Sequence, residues 1–432
     1  MNTLDTLRKH VLVDGFHVVA DIEMSQGSWV VDEATGKKYL DCYSQFASQP
    51  VGWNYQPMQK YEADLGWIAM HKMANSDMYC KVYANFAEAF AEATPDFSHY
   101  FFIDGGALGV ENALKTAFDW KHQLSSVPTQ EMDIIHFKEC FHGRTGYTMS
   151  LTNAGEGFGS EDNIKTKWFP KFKWSRVTNP KMFFDKTESG FVPNAHKVTN
   201  LESLALKEIE DVLKKGKTAA IILEPIQGEG GDNHFRQQFF VQLRELADIY
   251  NALLIFDEVQ TGMGQTGKMW AYEHFGVVPD IMCFGKKTQV CGIAATNKVD
   301  LVEKNVFKVS GRINSTWGGN IVDMERCRIY LEMMKENKLV ENAKTVGEYF
   351  IGKLQNVLLK GTAIEASNLR GRGLMVAFDL ESPEKRDEVM TKLSENMLAL
   401  KCGKKSIRFR PHLTFSQSDA DAACSFIEEA LS

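Results

Sequence analysis

The sequence predicts an α/β protein: a mainly parallel sheet wrapped by helices. Three observations carry that prediction. Ala252 to Phe256 and Ile281 to Phe284 are short, unbroken apolar runs, the form taken by parallel strands buried on both faces. Amphipathic spacing from Leu201 to Leu213 and from Phe239 to Tyr250 flanks a third such run, Ala219 to Leu223, so strand and helix alternate. The two acids that follow apolar runs, Glu224 and Asp257, stand 33 residues apart, close to the length of one βαβ unit.

Composition removes several classes of function. At 432 residues the chain is long enough for roughly two or three domains and a large core. With 44% hydrophobic and 24% charged residues it does not read as disordered. A net charge of −7 and a pI near 5.9 give no general attraction to nucleic acid or anionic membranes. No apolar run approaches the ~20 residues of a membrane span. The N-terminal MNTLDTLRKHVLVDGF lacks a secretory apolar region with a cleavage site. The eight cysteines are scattered without a C-x-x-C pair, so neither a metal site nor a disulfide framework is suggested. The expectation is a soluble, cytoplasmic protein.

Taken in order, the chain opens with a hairpin: Ser28 to Val31 and Lys38 to Asp41 are strand-like, and Asp32 to Gly36 supplies the turn. Cys42 to Asn54 is small and aromatic without periodicity, and reads as a loop. Val82, Tyr83, Phe86, Ala87 and Phe90 share one helical face. His99 to Ile103 reads as a strand, Gly105-Gly106-Ala107 as a tight turn, and Val110, Ala113, Leu114 and Ala117 as a helix face. Such a strand–turn–helix is an anion site if its free N–H groups face a ligand, and a plain turn if glycine merely permits positive φ. Met132 to Phe137 is another strand, leading to Phe141, His142 and Arg144: an aromatic ring that could stack on a cofactor and an arginine suited to a carboxylate, or a solvated aromatic loop. Residues 151–198 show little periodicity and read as an excursion over the surface. Beyond Gly318-Gly319 come a long helix, a helix from Val340 to Leu359, a strand in GLMVAFDL, a helix through Leu393, a last strand from Ser406 to Phe415, and a terminal helix from Ser418 to Leu431. The period of a strand puts Arg408 and Arg410 on one face.

The chemistry concentrates where ligands of open α/β sheets gather, at the carboxyl ends of strands. Asp257 follows one apolar run, and Gly285-Lys286 follows the next. An amine there can form a Schiff base with a carbonyl cofactor, and a buried acid can hold a protonated ring nitrogen, which is what pyridoxal phosphate needs. Competing motifs are weaker. Gly262 to Gly267 matches G-x-G-x-x-G formally but follows Glu258-Val259-Gln260-Thr261 rather than heading the first βαβ unit. Gly285-Lys286-Lys287-Thr288 lacks the earlier glycine of a phosphate-binding loop, because Asp280 stands there. Neither H-E-x-x-H nor G-x-S-x-G occurs.

Ile255 to Gly262 (IFDEVQTG), a spacer to Pro279-Asp280, then Phe284-Gly285-Lys286 resembles the class III aminotransferases, within the fold type I pyridoxal phosphate enzymes. NSD at 75–77, GGALGVENALK, FHGRTGYTMSLTN, EPIQGEGGD, FGKKTQVCG, NSTWGGN and RGRGLM narrow the resemblance to members acting on the ε-amino group of lysine. It covers nearly the whole chain and is weakest in 151–215 and 380–404. Gly105 to Leu108 stands where many relatives have Ser-Gly-x-Glu, and Gln265 where Arg, Cys or Leu is commoner. The resemblance implies a large domain (79–318) holding a seven-stranded sheet. It also implies a smaller α+β domain from both termini, formed by the segment 1–78 and by 319–432 with its linking helix.

The resemblance also implies roles. Lys286, rather than its neighbour Lys287, would carry pyridoxal 5'-phosphate and shuttle the proton. Asp257 would pair with the ring nitrogen, Gln260 would sit near the ring hydroxyl and Phe141 on the ring face. Gly106 and Ala107 would give N–H groups to the phosphate, and Ser315 and Thr316 would reach it from the second subunit of a homodimer. Arg144 would hold the α-carboxylate of L-lysine, Arg408 the α-carboxylate of 2-oxoglutarate, and Asn314 would contact substrate. Glu229 would pair with Arg408 while lysine is bound and swing away for 2-oxoglutarate; a permanent structural ion pair is the alternative. The implied reaction moves the ε-amino group of L-lysine to 2-oxoglutarate. Ornithine, 4-aminobutyrate or another ω-amine as donor, a racemase or aminomutase, and a non-catalytic binding protein are the competing readings.

Overall fold

After a short helix at Thr3–Arg8 come three short strands. β1 (Ala20–Gln26) pairs antiparallel with β2 (Trp29–Asp32), and β2 with β3 (Lys38–Asp41). The expected turn is held by Asp32, whose carboxylate accepts from the Thr35 N–H, and by Gly36 at a φ of 70°. The computed structural model describes residues 3–155 and 163–432.

The central sheet is built from β4 (His99–Ile103), β5 (Asp133–Phe137), β6 (Arg176–Val177), β9 (Thr218–Leu223), β10 (Leu253–Asp257), β11 (Ile281–Phe284) and β12 (Cys291–Ala295), with the hairpin β7 (Phe184–Thr187) and β8 (Gly190–Pro193) standing apart. Its order is β4–β12–β11–β10–β9–β5–β6. Five neighbours, from β11 to β6, run parallel, while β12 runs antiparallel to both β11 and β4. Among the described residues the sheet is therefore mainly parallel with seven strands, as expected.

Alternate residues explain why its strands read as unbroken apolar runs. In β10, Leu253 and Ile255 pack with the helix Gly106–Ser125, through Val110, Ala113, Leu114 and Ala117. Leu254 and Phe256 face the other side, with Phe239, Phe240 and Phe284. β9 and β11 divide in the same way. Both faces are dry, so both sets of residues are apolar.

The remaining strands join the two ends of the chain. β13 (Ala366–Arg372), β14 (Met375–Leu380), β16 (Leu400–Cys402) and β17 (Ser406–Phe409) form an antiparallel sheet, and β15 (Met397–Leu398) pairs parallel with β3. Two expectations are corrected. Part of 151–198 lies outside the described residues, but the rest is not a structureless excursion: Arg176–Val177 is the edge strand β6, and 184–193 is a hairpin. The last strand stops at Phe409, because the chain turns there to deliver Arg410 into a buried ion pair with Asp232.

The reversed strand β12 is seated by glycine. A Cβ at Gly292 would lie 2.1 Å from the Phe101 carbonyl oxygen, and one at Gly109 would lie 2.9 Å from the Gly292 oxygen. Sheet and helix can approach this closely only without side chains. Gly292→Ala is therefore expected to destabilise the protein by about 2–4 kcal/mol. A denaturant midpoint equal to that of the unaltered protein would refute the packing argument.

Candidate active site

Parallel pairing of β10 with β11 sets Asp257 opposite Cys283, so Asp257 and Lys286 leave the same edge of the sheet from adjacent strands. Both line a cavity of about 1080 Å³. Gly106 and Ala107 line it as well, at the start of the helix Gly106–Ser125. The first rungs of that helix are the N–H groups of Leu108 and Gly109 on the Gly105 carbonyl. This leaves the N–H groups of Gly106 and Ala107 for a ligand. A Cβ at Gly106 would strike Val259, and one at Gly143 would lie 2.4 Å from the Ala107 Cβ, so this wall admits little beyond backbone.

Lys286 is held in an unusual conformation. Its φ is 55°, in a single turn over Lys286–Thr288, and Gln289 follows at 61°. Burial, with the charges of Arg408 and Arg410 nearby, pulls its amine down to about 7. Lys287 points elsewhere: its Nζ donates to the Ala47 carbonyl at 2.7 Å, and burial holds it well below the ordinary lysine value. Of the two lysines, only Lys286 lines the cavity.

The acceptor of that bond belongs to a second strained segment. Ser44, Gln45, Phe46 and Ala47 have φ of 39°, 55°, 56° and 65°, a left-handed turn of four non-glycine residues. Such geometry costs roughly 1–2 kcal/mol per residue and persists only where its surroundings over-determine it. Here Asp41 accepts from the Tyr43 and Ser44 N–H groups, the Ser44 hydroxyl donates to the Arg410 carbonyl, Lys287 holds Ala47, and Gln289 Nε2 donates to the Ser48 carbonyl at 2.9 Å. The turn presents Phe46 to the cavity, with Lys286 Nζ 5.9 Å from its ring centre.

Asp257 does not stand alone. Its Oδ2 pairs with His142 Nδ1 at 2.8 Å, and its Oδ1 accepts from the Val259 N–H at 3.1 Å. Burial opposes charge on His142, but the Cys140 sulfur and the Asp257 carboxylate prevail and raise it well above the usual histidine value. Glu224 positions two walls at once, one oxygen accepting from the Phe141 N–H and the other from the Gly228 N–H, each at 2.9 Å. Burial pushes its carboxyl up to about 7. Gln260 lines the cavity with its side-chain oxygen 3.3 Å from Arg410 Nε and Nη2.

Two arginines reach the cavity in different settings. Arg144 is exposed. Arg408 is 2% exposed; its Nη2 donates to Glu229 at 2.6 Å, while Nε and Nη1 have no partner among the described residues. Burial alone would raise the Glu229 carboxyl, but Arg408 and Lys165 bring it down to about 2. Lys165 was not expected. Its Nζ donates to the other Glu229 oxygen, and it stands 5.2 Å from the ring centre of Phe141.

Asn314, Ser315 and Thr316 do not line this cavity. Asn314 caps the Ser315 N–H with its own side chain, and Asn314 and Thr316 are exposed. The formal G-x-G-x-x-G run also lies elsewhere. Gln265 within it is buried, its Nε2 donating to the Leu374 and Pro411 carbonyls at 3.0 and 3.3 Å. It ties this loop to the segments flanking β14 and β17, which accounts for an amide at that position.

Residues 12–431 match the family model described as aminotransferase class-III. Over 427 residues the chain is 42% identical to an L-lysine-epsilon aminotransferase of Amycolatopsis lactamdurans, covering 96% of this chain and 92% of the relative. A 4-aminobutyrate aminotransferase of Dictyostelium discoideum is 31% identical over 93% of this chain and 83% of the relative. Among solved structures, the lysine aminotransferase of M. tuberculosis in the internal aldimine form superposes with a TM-score of 0.92 at 41% identity, covering 99% of this chain and 98% of that one.

The two adjacent lysines predict opposite stability effects. Lys287→Met leaves the Ala47 carbonyl without its donor and is expected to cost about 1–3 kcal/mol. Lys286→Met removes a buried amine facing a cavity and is expected to leave the thermal midpoint of the cofactor-free protein unchanged or raised. Equal midpoints for the two variants would contradict these assignments.

Proposed function

The chain belongs to the class-III aminotransferases, and from that premise we propose that it moves the ε-amino group of L-lysine to 2-oxoglutarate. The products are L-glutamate and 2-aminoadipate 6-semialdehyde, formed in two half-reactions that share one cavity. The cofactor assigned to the cavity is pyridoxal 5'-phosphate. The donor set suits that group: a lysine amine brought down to about 7, a buried carboxylate–imidazole pair, and a backbone wall at a helix start. When bound, it supplies a carbonyl carbon for amines and a ring that takes up electrons.

The protein's own groups supply binding, orientation and proton movement. Lys286 is near neutrality in its amine form, so it can accept a proton at Nζ and return it within one turnover. Asp257, held by His142, would pair with the ring nitrogen and keep a proton there. Phe141, oriented through the Glu224 bond to its N–H, would stack on the ring face. Gln260 would serve the ring hydroxyl. Gly106 and Ala107 would hold the phosphate, with Ser315 and Thr316 reaching it from the second subunit of a homodimer and Asn314 meeting substrate from the same loop.

One observation carries the substrate assignment: a single cavity holds two arginines, Arg144 exposed and Arg408 covered by Glu229. A donor that reacts through its ε-amine presents its α-carboxylate far from the reacting carbon, where Arg144 takes it. A 2-oxo acid presents its α-carboxylate close by, where Arg408 takes it once Glu229 leaves. Arg144→Ala is expected to lower kcat/KM for L-lysine roughly 10- to 100-fold, the value of one charge-assisted contact, with much less effect on a diamine lacking a carboxylate. The experiment is the absorbance of cofactor-loaded protein before and after L-lysine alone, then with 2-oxoglutarate. The yellow band is expected to fade with lysine and return with the oxo acid. A band that lysine leaves untouched would overturn the substrate, with ornithine and 4-aminobutyrate as the comparison donors.

A pH dependence follows from Lys286. Only its neutral amine would be nucleophilic toward a bound carbonyl, and the ammonium form dominates below about 7. Cofactor capture by the cofactor-free protein is therefore expected to accelerate as pH rises from about 6 to about 8, then level off. A rate still climbing toward pH ~10, as an ordinary lysine would give, would contradict the buried setting.

A further inference from the structure

We propose that Lys165 is the residue that receives Glu229 when a 2-oxo acid takes Arg408, and that it thereby sets the enzyme's affinity for dicarboxylate acceptors. This rests on the alternation of Glu229 described above, and names the partner that makes it possible.

The Glu229 carboxylate is already shared. One oxygen accepts from Lys165 Nζ and the other from Arg408 Nη2 at 2.6 Å. Release from Arg408 therefore does not strand it: one bond breaks while the other persists. The side chains differ in burial, with Arg408 at 2%, Glu229 at 26% and Lys165 at 22% relative exposure. Glu229 and Lys165 can move toward solvent, whereas Arg408 cannot.

Charge balance gives the reason a second cation is needed. With a substrate that offers no carboxylate here, Glu229 neutralises the buried Arg408, and the excess positive charge falls on Lys165, the more exposed of the two cations. With a 2-oxo acid bound, the same space holds Arg408, Lys165, Glu229 and the substrate carboxylate, which form two complete pairs. Without Lys165, the displaced Glu229 would face the incoming carboxylate as an unpaired, partly buried anion, an arrangement that is strongly disfavoured. Arg408 Nε and Nη1, buried and without partners among the described residues, offer the incoming group a first hold.

The approach to Lys165 is constructed as well. A Cβ at Gly155 would lie 3.1 Å from Lys165 Cε and 3.3 Å from its Nζ, and Gly155 has a φ of 120°, so the chain runs close along the lysine arm. The nitrogen also lies near the Phe141 ring, which limits where it can swing.

The test uses glutarate, a dicarboxylate without an oxo group, titrated calorimetrically into the cofactor-loaded protein, Lys165→Met, Glu229→Gln and the double variant. Lys165→Met is expected to weaken glutarate about tenfold where Glu229 is present, and less than twofold in the Glu229→Gln background, where no anion needs receiving. Lys165→Arg is expected to restore binding, and separates loss of charge from damage to the loop. Unchanged glutarate affinity in Lys165→Met would overturn the proposal. So would an equal loss in both backgrounds, which would mean that Lys165 touches the ligand itself. If the unaltered protein neither exchanges amino groups between lysine and 2-oxoglutarate nor binds glutarate, the substrate assignment fails before any variant is compared.

Discussion

The register between β10 and β11 is the constraint on which the rest of the site depends. Two parallel strands must end on the same edge, and their hydrogen bonds fix how far apart those ends lie. That alone brings an acid from one and an amine from the next to a single cavity. Everything else is arranged around this pair: the helix start at Gly106, the Phe141 loop beyond β5, and the 224–230 turn beyond β9 all leave the same edge. A one-residue slip would exchange the faces of β10 and turn Leu253 and Ile255 away from the helix they cover. The two dry faces therefore hold that register in place.

Strain is concentrated at the same edge. Lys286 and Gln289 are left-handed, and so is the whole of Ser44–Ala47, which Lys287 holds at the Ala47 carbonyl and Gln289 just past it at the Ser48 carbonyl. The two strained segments are one unit, because each supplies hydrogen bonds that the other requires. Lys287 thus acts on the cavity without entering it. Its neighbour can turn inward because it is itself anchored outward.

The parts of this arrangement that were legible in the sequence are those set by local pattern. Apolar runs of the right length marked β5, β9, β10 and β11, and Glu224, Asp257 and Gly285-Lys286 marked the ends of the last three. What was not legible depends on distant partners. β6 is two residues long and exists only by pairing with β5. β12 contains Gly292, a poor strand former chosen for close packing rather than propensity. Ser-Gln-Phe-Ala carries no glycine or asparagine to signal a left-handed turn; its geometry comes from Asp41, Lys287 and Gln289. Lys165 looks like any solvated lysine until the fold sets it against a carboxylate 64 positions away. Gln265 carried no meaning until the Leu374 and Pro411 carbonyls came beside it.

On the proposed function, the two arginines of the cavity differ in a way that calls for an alternating counter-ion at one position and not the other. An exposed guanidinium such as Arg144 is hydrated when no substrate is present, so it can stand vacant at little cost. Arg408 is enclosed, and a vacant buried cation would be costly to keep charged; arginine cannot escape by losing its proton. Some carboxylate must therefore accompany it in every state. If that anion were fixed, no substrate carboxylate could displace it, and if it were absent, the site would favour dicarboxylates at every step. A carboxylate only partly buried, held between the enclosed arginine and a more exposed lysine, meets both demands. On this proposal, burial of Arg408 makes Glu229 necessary, and the departure of Glu229 makes a second cation necessary in turn.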